Sequence, residues 1–181
     1  PEAVDGLPEV YTEGGGANFL QAGLFEAEPH PNFSSNNLIY LTFSLGTADQ
    51  NTLAVARGSW GEQDGRAHIE NVEIIFEAKA WRATHQHYGG RMTWLPDGSF
   101  LLTSGDGAGY RFEAQNLQSH FGKILRLTED GKPALGNPYQ TGNAVTDAIW
   151  SHGHRNPQGI TYDPSGTVYS NEHGPKGGDE I

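Results

Sequence analysis

The sequence predicts an all-β protein, more specifically about three blades of a β-propeller. Three observations support this fold class: turn-forming residues are abundant, short β-rich runs alternate with turns, and one stretch of sequence recurs along the chain. Glycine accounts for 25 of the 181 residues and proline for 10, whereas glycine usually contributes roughly 7%. A chain so rich in turn formers favours short strands over long helices.

The predicted strands are short runs of β-branched, aromatic and aliphatic residues bounded by turn residues. Three of the turns lie at 96–98 (Pro-Asp-Gly), 129–131 (Glu-Asp-Gly) and 163–166 (Asp-Pro-Ser-Gly), and these residue types tolerate the backbone angles of tight turns. One short helix is expected near 113–120. The strands are expected at 38–45, 52–56, 69–77, 92–95, 99–104, 123–127, 148–151, 159–162 and 167–170.

A strand–turn–strand unit recurs in the chain. Residues 92–103 and 160–171 both begin with an apolar residue, Thr and an aromatic residue, continue through a turn, and end in a strand. Pro96 in the first copy corresponds to Pro164 in the second, and a weaker third copy covers 30–43. Units of this kind are typical of propeller blades with long loops.

The number of copies bears on domain organisation. Closed propellers need about four to eight blades, so three copies predict part of a ring. We therefore interpret 1–181 as a single incomplete propeller domain, with blades missing at both ends of the chain. A β-sandwich with similar hairpins is the alternative.

Composition and charge exclude several classes of function. Asp and Glu number 22 against 11 Lys and Arg, a formal net charge of −11, which argues against a nucleic-acid partner because such binding needs clustered cations. The absence of cysteine excludes disulfides, zinc–thiolate sites and a thiol nucleophile. The longest apolar run, near 38–41, is far shorter than the ~20 residues of a membrane span, so no membrane span is expected.

Two segments contain the pattern His-x-His, at His85 and His87 and again at His152 and His154. Alternate residues of a strand point to the same side, so each pair could offer two imidazoles to one metal ion. The alternative is that these histidines form hydrogen bonds with the backbone at strand ends.

The segments after the second pair carry further candidate ligands. Arg155 and Asn156 are adjacent, and a guanidinium beside an amide offers several donors to a carbonyl or carboxylate ligand. The loop at 171–180 contains three carboxylates among glycines, and calcium accepts carboxylate and carbonyl oxygens in flexible geometry. Its spacing differs from that of an EF-hand, so a solvated acidic loop is the alternative.

Four motifs together resemble the family of soluble pyrroloquinoline quinone (PQQ)-dependent aldose sugar dehydrogenases, which are relatives of soluble glucose dehydrogenase. They are His-Tyr-Gly-Gly-Arg at 87–91, Gly-Lys-Ile-Leu-Arg-Leu at 122–127, Gly-His-Arg-Asn-Pro-Gln-Gly at 153–159, and the segment 172–181, which begins Glu-His-Gly-Pro and ends Gly-Asp-Glu-Ile. The resemblance runs from about Gln21 to the last residue. It implies a six-bladed β-propeller with PQQ and calcium at the top of the ring, and a periplasmic or secreted location.

The resemblance also implies roles for individual residues around the cofactor. His87 is similar to the general base that takes the proton from the anomeric hydroxyl of the sugar, and imidazole titrates near the working pH. Arg155 and Asn156 are similar to the donors to the quinone oxygens. Gln21 lies where the family has a glutamine that faces the cofactor.

The implied metal sites lie near the end of the chain. Gly174 and Pro175 are similar to the residues whose backbone carbonyls hold the calcium of the active site. Asp179 and Glu180 are similar to ligands of a second, structural calcium.

The implied reaction is the oxidation of the C1 hydroxyl of an aldose sugar to the lactone, by hydride transfer to PQQ with the assistance of calcium. Two alternatives remain open: a metal-dependent lactonase or esterase that uses the His-x-His pairs, and a non-catalytic, calcium-stabilised binding module. Because residues from further blades complete the site in this family, the 181-residue chain alone is expected to show little activity.

Overall fold

The computed structural model describes residues 3–12 and 21–181. Its helices and strands, in chain order, are β1 (Leu24–Pro29), α1 (Phe33–Asn36), β2 (Leu38–Gly46), β3 (Asn51–Gln63), β4 (Arg66–Glu77), β5 (Gly89–Trp94), β6 (Phe100–Ser104), β7 (Lys123–Leu127), α2 (Ala144–Asp147), β8 (Ile149–His152), β9 (Pro157–Tyr162) and β10 (Val168–Glu172). Two 3₁₀ turns, Arg111–Gln115 and Pro175–Gly177, follow β6 and β10.

The strands form two four-stranded sheets and one hairpin. Each sheet is an antiparallel meander in chain order, β1-β2-β3-β4 and then β5-β6-β7-β8, and β9 pairs with β10. The first strand of one unit lies against the first strand of the next, β1 against β5 and β5 against β9, as the innermost strands of propeller blades do around their axis. The chain is therefore an all-β, partial propeller, as predicted: two full blades and the first hairpin of a third.

The recurring stretch of sequence is the hairpin that opens each blade. The copies at 92–103 and 160–171 correspond to β5–β6 and β9–β10, and the weaker copy at 30–43 covers α1 and most of β2, the second strand of the hairpin β1–β2. In two of the connecting turns an aspartate oxygen accepts hydrogen bonds from the N–H and the hydroxyl of the serine two residues later. The N–H distances are 3.0 Å for Asp97 and 2.9 Å for Asp163, and such local acceptors favour turns.

The nine predicted strands match β2–β10, although several of their bounds differ. β1 was not expected. The helix predicted near 113–120 is wrong: only Arg111–Gln115 is helical, as a 3₁₀ turn. The Asn116 side chain ends this turn, because its Oδ1 accepts the N–H of Gln118 at 3.0 Å and its Nδ2 donates to Glu113 at 2.8 Å.

The main core lies between the first two blades. Tyr40 of β2 packs edge-on against Trp94 of β5 at 4.8 Å between ring centroids and against Phe100 of β6 at 6.0 Å, and burying such a side chain contributes roughly 1.5–3 kcal/mol. Other members of this cluster are Leu53, Val55, Leu102, Leu125 and Ile149. Across the described ranges, no helix is long and apolar enough to cross a membrane.

Candidate active site

One cleft collects most of the residues singled out from the sequence. His87, Arg155, Gly174, Pro175 and Glu180 all line it, and its volume is about 580 Å³, within the range of small-ligand and cofactor sites. The lining segments precede β5, follow β6, join β8 to β9 and follow β10. In antiparallel blades these loops share one end of the sheets, which is why distant motifs meet there.

The remaining lining residues are a mixture of charged, polar and small side chains. They are Gln86, Asp106, Ala108, Arg111, Ala114, Gln115, Gly153, His154, Glu172 and His173.

His87 is held at three points. Its backbone is left-handed, with φ of +54°, a conformation that costs a non-glycine residue roughly 1–2 kcal/mol. Its N–H donates to Gln21 Oε1 at 2.7 Å, its carbonyl accepts from Arg82 Nη1 at 3.0 Å, and its Nδ1 lies 2.7 Å from Asp106 Oδ1. A carboxylate at Nδ1 places the ring proton there and leaves Nε2 as the basic nitrogen.

Asp106 is a site residue that the sequence analysis missed. It is 5% exposed, accepts the N–H of Ala108 at 2.8 Å, and donates its own N–H to the carbonyl of Arg155 at 2.7 Å. The preceding Gly105 allows this arrangement, because a Cβ there would lie 2.1 Å from the His87 carbonyl oxygen. An aspartate flanked by two glycines was the signal available in the sequence.

Arg155 is fixed by β10 and the residue that follows it. Its Nη1 donates to the carbonyl of His173 at 2.7 Å, and its N–H donates to Glu172 Oε2 at 2.6 Å. Glu172 also accepts the N–H of Asn156 at 3.2 Å, and its Oε1 lies 3.2 Å from His154 Nδ1. Glu172 therefore ties the 154–156 segment to β10, a role that its place in the Glu-His-Gly-Pro motif did not reveal.

Asn156 and Gln21 lie outside the residues that line the cleft. Asn156 is 2% exposed, and its Oδ1 accepts from Gly89 N–H at 3.3 Å and from Gln158 Nε2 at 2.9 Å. Gln21 is exposed and bonds to the main chain of His87. The roles of both residues as direct cofactor contacts stay predictions.

A buried lysine supports one wall of the cleft. Lys123 Nζ donates to the carbonyls of Glu113 and Ala114, both at 2.9 Å, and of Phe121 at 2.6 Å. Burial lowers the pKa of Lys123 to about 8. The carbonyl of Ala114 also accepts the N–H of Gly153 at 3.1 Å, so the 3₁₀ turn and the β8–β9 loop are joined at one atom.

The segment expected to bind calcium is a tight turn after β10. Gly174 N–H donates to Asp179 Oδ1 at 2.9 Å, and the carbonyl of Pro175 accepts from Gly178 N–H at 3.3 Å. Glu180 pairs with Glu172 through two backbone hydrogen bonds of 3.1 Å. Within residues 3–12 and 21–181, no group of three or more His, Cys, Asp or Glu side chains is placed to hold a metal. Main-chain carbonyls and Glu180 are oxygen donors of the kind that calcium accepts.

The rings of the two His-x-His pairs point to different neighbours. Each histidine has its own partner in the described part of the chain, so neither pair is arranged as two ligands of one ion. The contacts of Nδ1 are His85 with the hydroxyl of Tyr11 (3.0 Å), His87 with Asp106 (2.7 Å), His152 with the hydroxyl of Tyr139 (3.1 Å) and His154 with Glu172 (3.2 Å).

The fold and the cleft define the class of protein as a partial β-propeller with a ligand-sized cleft that combines an oriented imidazole with arginine. The family model "Glucose / Sorbosone dehydrogenase" matches residues 1–181. The chain belongs to this family, and the resemblance predicted from the motifs is confirmed.

Two curated relatives illustrate the similarity. The chain is 38% identical to an uncharacterized protein, slr1608, of Synechocystis sp., over 100% of this chain and 46% of the relative. It is 32% identical to the aldose sugar dehydrogenase YliI of Escherichia coli, over 98% of this chain and 46% of the relative. The chain thus spans about half the length of these relatives.

Solved structures agree with the sequence relatives. A crystal structure of a glucose dehydrogenase matches with a TM-score of 0.87 and 33% identity, over 99% of this chain and 50% of that chain. The PQQ-bound aldose sugar dehydrogenase of Streptomyces coelicolor matches with a TM-score of 0.75 and 28% identity, over 91% of this chain and 46% of that chain. The predicted fold, about three blades of a six-bladed propeller, is confirmed.

Proposed function

We propose that this chain is the part of a PQQ-dependent aldose dehydrogenase that carries the general base and several cofactor contacts. The reaction is oxidation of the C1 hydroxyl of an aldose sugar to the lactone. The observation that carries the proposal is the convergence of the His87–Asp106 pair and Arg155 on one cleft of about 580 Å³.

The residues of the cleft fit PQQ, a flat anion with three carboxylates. Arg111 and Arg155 both line the cleft, although the chain as a whole has a formal net charge of −11. Asp106, Glu172 and Glu180 line the cleft too, but Asp106 and Glu172 already bond to His87, His154 and main-chain N–H groups. The two guanidinium groups are therefore suited to pair with the carboxylates of an anionic ligand. The cleft volume also suits a ligand of this size.

Calcium is the second component of the proposal. The carbonyls of Gly174 and Pro175 would hold the ion of the active site, and Asp179 and Glu180 would hold a structural ion. Asp179 and Glu180 line a smaller pocket of about 290 Å³ together with Glu172. Oxygen donors on a short irregular loop support this assignment.

The protein groups divide the chemistry between them. PQQ, when bound, supplies the acceptor for the hydride that leaves C1 of the sugar. His87 Nε2 removes the proton of the C1 hydroxyl, so that the C1–O bond becomes a carbonyl as the hydride leaves. Asp106 keeps the ring oriented and stabilises the imidazolium, and Arg155 stabilises negative charge on ligands in the cleft.

The length of the relatives supports two further parts of the proposal. Because the chain covers about half of each relative, we infer that further blades complete the ring and supply the remaining walls of the site. We also infer a periplasmic or secreted location for the whole protein from its family. The lactonase alternative needs a histidine pair on one metal ion, and the separate partners of His85 and His87 give it no support.

Three alanine variants of the full-length protein test the proposal. We expect His87→Ala to lower sugar-dependent dye reduction about 10²–10⁴-fold while PQQ still binds. Arg155→Ala is expected to weaken PQQ binding about 10- to 100-fold, since a hydrogen bond to a charged group contributes about 1.5–3 kcal/mol. His152→Ala is the matched control: it removes an imidazole that contacts only Tyr139 among the described residues, and should leave both measurements unchanged.

Two results would contradict the proposal, one in the wild type and one in His87→Ala. A full-length protein that does not bind PQQ in a fluorescence titration with calcium present contradicts the assignment. Unchanged turnover in His87→Ala contradicts the role of the base.

A further inference from the structure

Arg82 is a buried cation in contact with the main chain of the proposed base. Its side chain is 2% exposed and lies between two aromatic rings, with Cζ 4.6 Å from the ring centroid of Tyr88 and 4.8 Å from that of Phe121. Its Nε donates to the carbonyl of Ala80 at 3.1 Å, and its Nη1 donates to the carbonyl of His87 at 3.0 Å.

Burying this charge is costly. The acceptors of Arg82 among the described residues are main-chain carbonyls, with no carboxylate in direct contact. Burial lowers the pKa of Arg82 to about 10, so the guanidinium is charged at neutral pH. An incompletely paired buried ion costs several kcal/mol, and a neutral amide could donate to the same carbonyl at lower cost. The rings of Tyr88 and Phe121 attract the cation and offset part of that cost, but the hydrogen bonds to the carbonyls do not by themselves require a charge.

Arg82 contacts His87 directly and acts electrostatically on Asp106, and both relations give its positive charge a role. Because His87 is left-handed, with φ of +54°, the direction of its Cβ and ring depends on how its two peptide groups are held. Gln21 holds the N–H, and the carbonyl accepts from Arg82 Nη1 at 3.0 Å and, at the longer distance of 3.3 Å, from Gly107 N–H. Asp106, which holds the ring, is also the carboxylate that acts electrostatically on Arg82.

We propose that Arg82 is a positioning residue for His87: its guanidinium holds the His87 carbonyl in the left-handed conformation and places a positive charge near the Asp106 carboxylate. The inference rests on the proposed function, because it concerns the same base. Arg82 is not among the residues that line the cleft, so it acts through His87 and not on the ligand.

The test compares Arg82→Met and Arg82→Lys with the wild type in the full-length protein, well below the temperature of thermal unfolding. Methionine keeps an apolar stem and removes the charge and the donors, whereas lysine keeps the charge and a donor. We expect Arg82→Met to lower kcat about 10- to 100-fold, with KM and PQQ affinity within about twofold, because misplacing a reacting group by about 1 Å costs up to ~100-fold. Arg82→Lys should recover most of the loss.

A general loosening of the structure gives a different pattern. Equal losses of kcat in both variants, or PQQ affinity falling in step with kcat and melting temperature, overturn the proposal. If Arg82→Met does not fold, Arg82→Gln replaces it, and the expected order of kcat is wild type, then lysine, then glutamine. Any other order also overturns it.

NMR of the protein without PQQ separates this inference from the proposed function. The Cα and Cβ chemical shifts of His87 report its left-handed backbone without any turnover. We expect Arg82→Met to move both shifts towards ordinary values and Arg82→Lys to leave them near the wild type. This response in a protein that oxidises no sugar supports the positioning role and refutes the proposed function; unaltered shifts in Arg82→Met refute the positioning role.

Discussion

At the scale of single residues, the orientation of His87 depends on partners that are far apart in the chain. Gln21, Arg82 and Asp106 hold its N–H, its carbonyl and its Nδ1, respectively. A left-handed non-glycine residue persists only where its surroundings over-determine it. Here four hydrogen bonds from three segments do so, the fourth being from Gly107 N–H to the His87 carbonyl at 3.3 Å. The proposed base is therefore oriented before any substrate binds.

Asp106→Asn tests the proposed division of labour in that pair. An amide can hold the His87 ring, but it cannot stabilise the imidazolium as a carboxylate does, so we expect kcat of the full-length protein to fall at least ~100-fold while PQQ affinity is retained. Asp97→Asn makes the same chemical change in the turn between β5 and β6, where the carboxylate bonds to Ser99 and Arg126, and should leave kcat unchanged. A kcat in Asp106→Asn equal to that of the wild type contradicts the role of Asp106.

These contacts also show which site residues the sequence could reveal. His87 and Arg155 lie in contiguous motifs that are specific to the family, so the residues themselves predicted a role. Asp106 acts through its contact with His87, which lies 19 positions earlier in the chain. This contact depends on Gly105, because a side chain there would collide with the main chain of His87. Close approach of that kind is a property of the folded chain and is not visible in spacing.

At the scale of elements, the hairpin that opens each blade was predictable and its pairing with other blades was not. β2–β10 were expected because alternating or continuous apolar runs end in clear turn residues. β1 was missed because Glu26, Glu28 and Pro29 make it polar. Glu26 is nevertheless fixed in place, since its Oε2 accepts the N–H of Met92 on β5 at 2.5 Å, a contact between blades.

His120 joins the elements between blades, and its protonation is expected to weaken that junction. Its Nδ1 accepts the N–H of Lys79 at 3.0 Å, its Nε2 donates to the carbonyl of Val145 at 2.9 Å, and its ring stacks on Phe76 at 5.5 Å. The side chain is 2% exposed, and burial lowers the pKa of His120 from 6.5 to about 4. The neutral ring is therefore the form that the fold accommodates.

The sign of the pH effect follows from that lowered pKa. The unfolded chain binds the proton below about 6.5 and the folded chain only near 4, so the contribution of His120 to stability is complete above pH 6.5 and is lost as the pH falls towards 4. The loss amounts to about 3 kcal/mol, at about 1.4 kcal/mol per pH unit. In urea unfolding, the stability advantage of the wild type over His120→Gln should shrink between pH 7 and pH 4. An advantage that is the same at both pH values contradicts this account.

At the scale of the whole molecule, the cleft is formed by loops from more than one blade. Its lining comes from loops at one end of the second blade and of the third hairpin. The recurring hairpin in the sequence predicted a blade architecture of this kind, because each blade begins with the same strand–turn–strand unit. Of the residues that the structure describes, only those of the second blade and the third hairpin can contact a ligand bound in the cleft. The chain spans about half of its relatives, so the missing walls are proposed to come from further blades.

Comparing residues 1–181 with the full-length protein tests that dependence. With PQQ and calcium added to both, we expect the 181-residue chain to reduce dye with sugar at less than about 1% of the full-length rate, because an open site cannot exclude water or hold the sugar in a reactive geometry. Circular dichroism must first show that the shorter chain retains its β-structure, and PQQ affinity should fall together with the rate. If the folded 181-residue chain turned over at the full-length rate, the cleft would already be complete within these two blades and one hairpin, and the proposed contribution of further blades would be wrong.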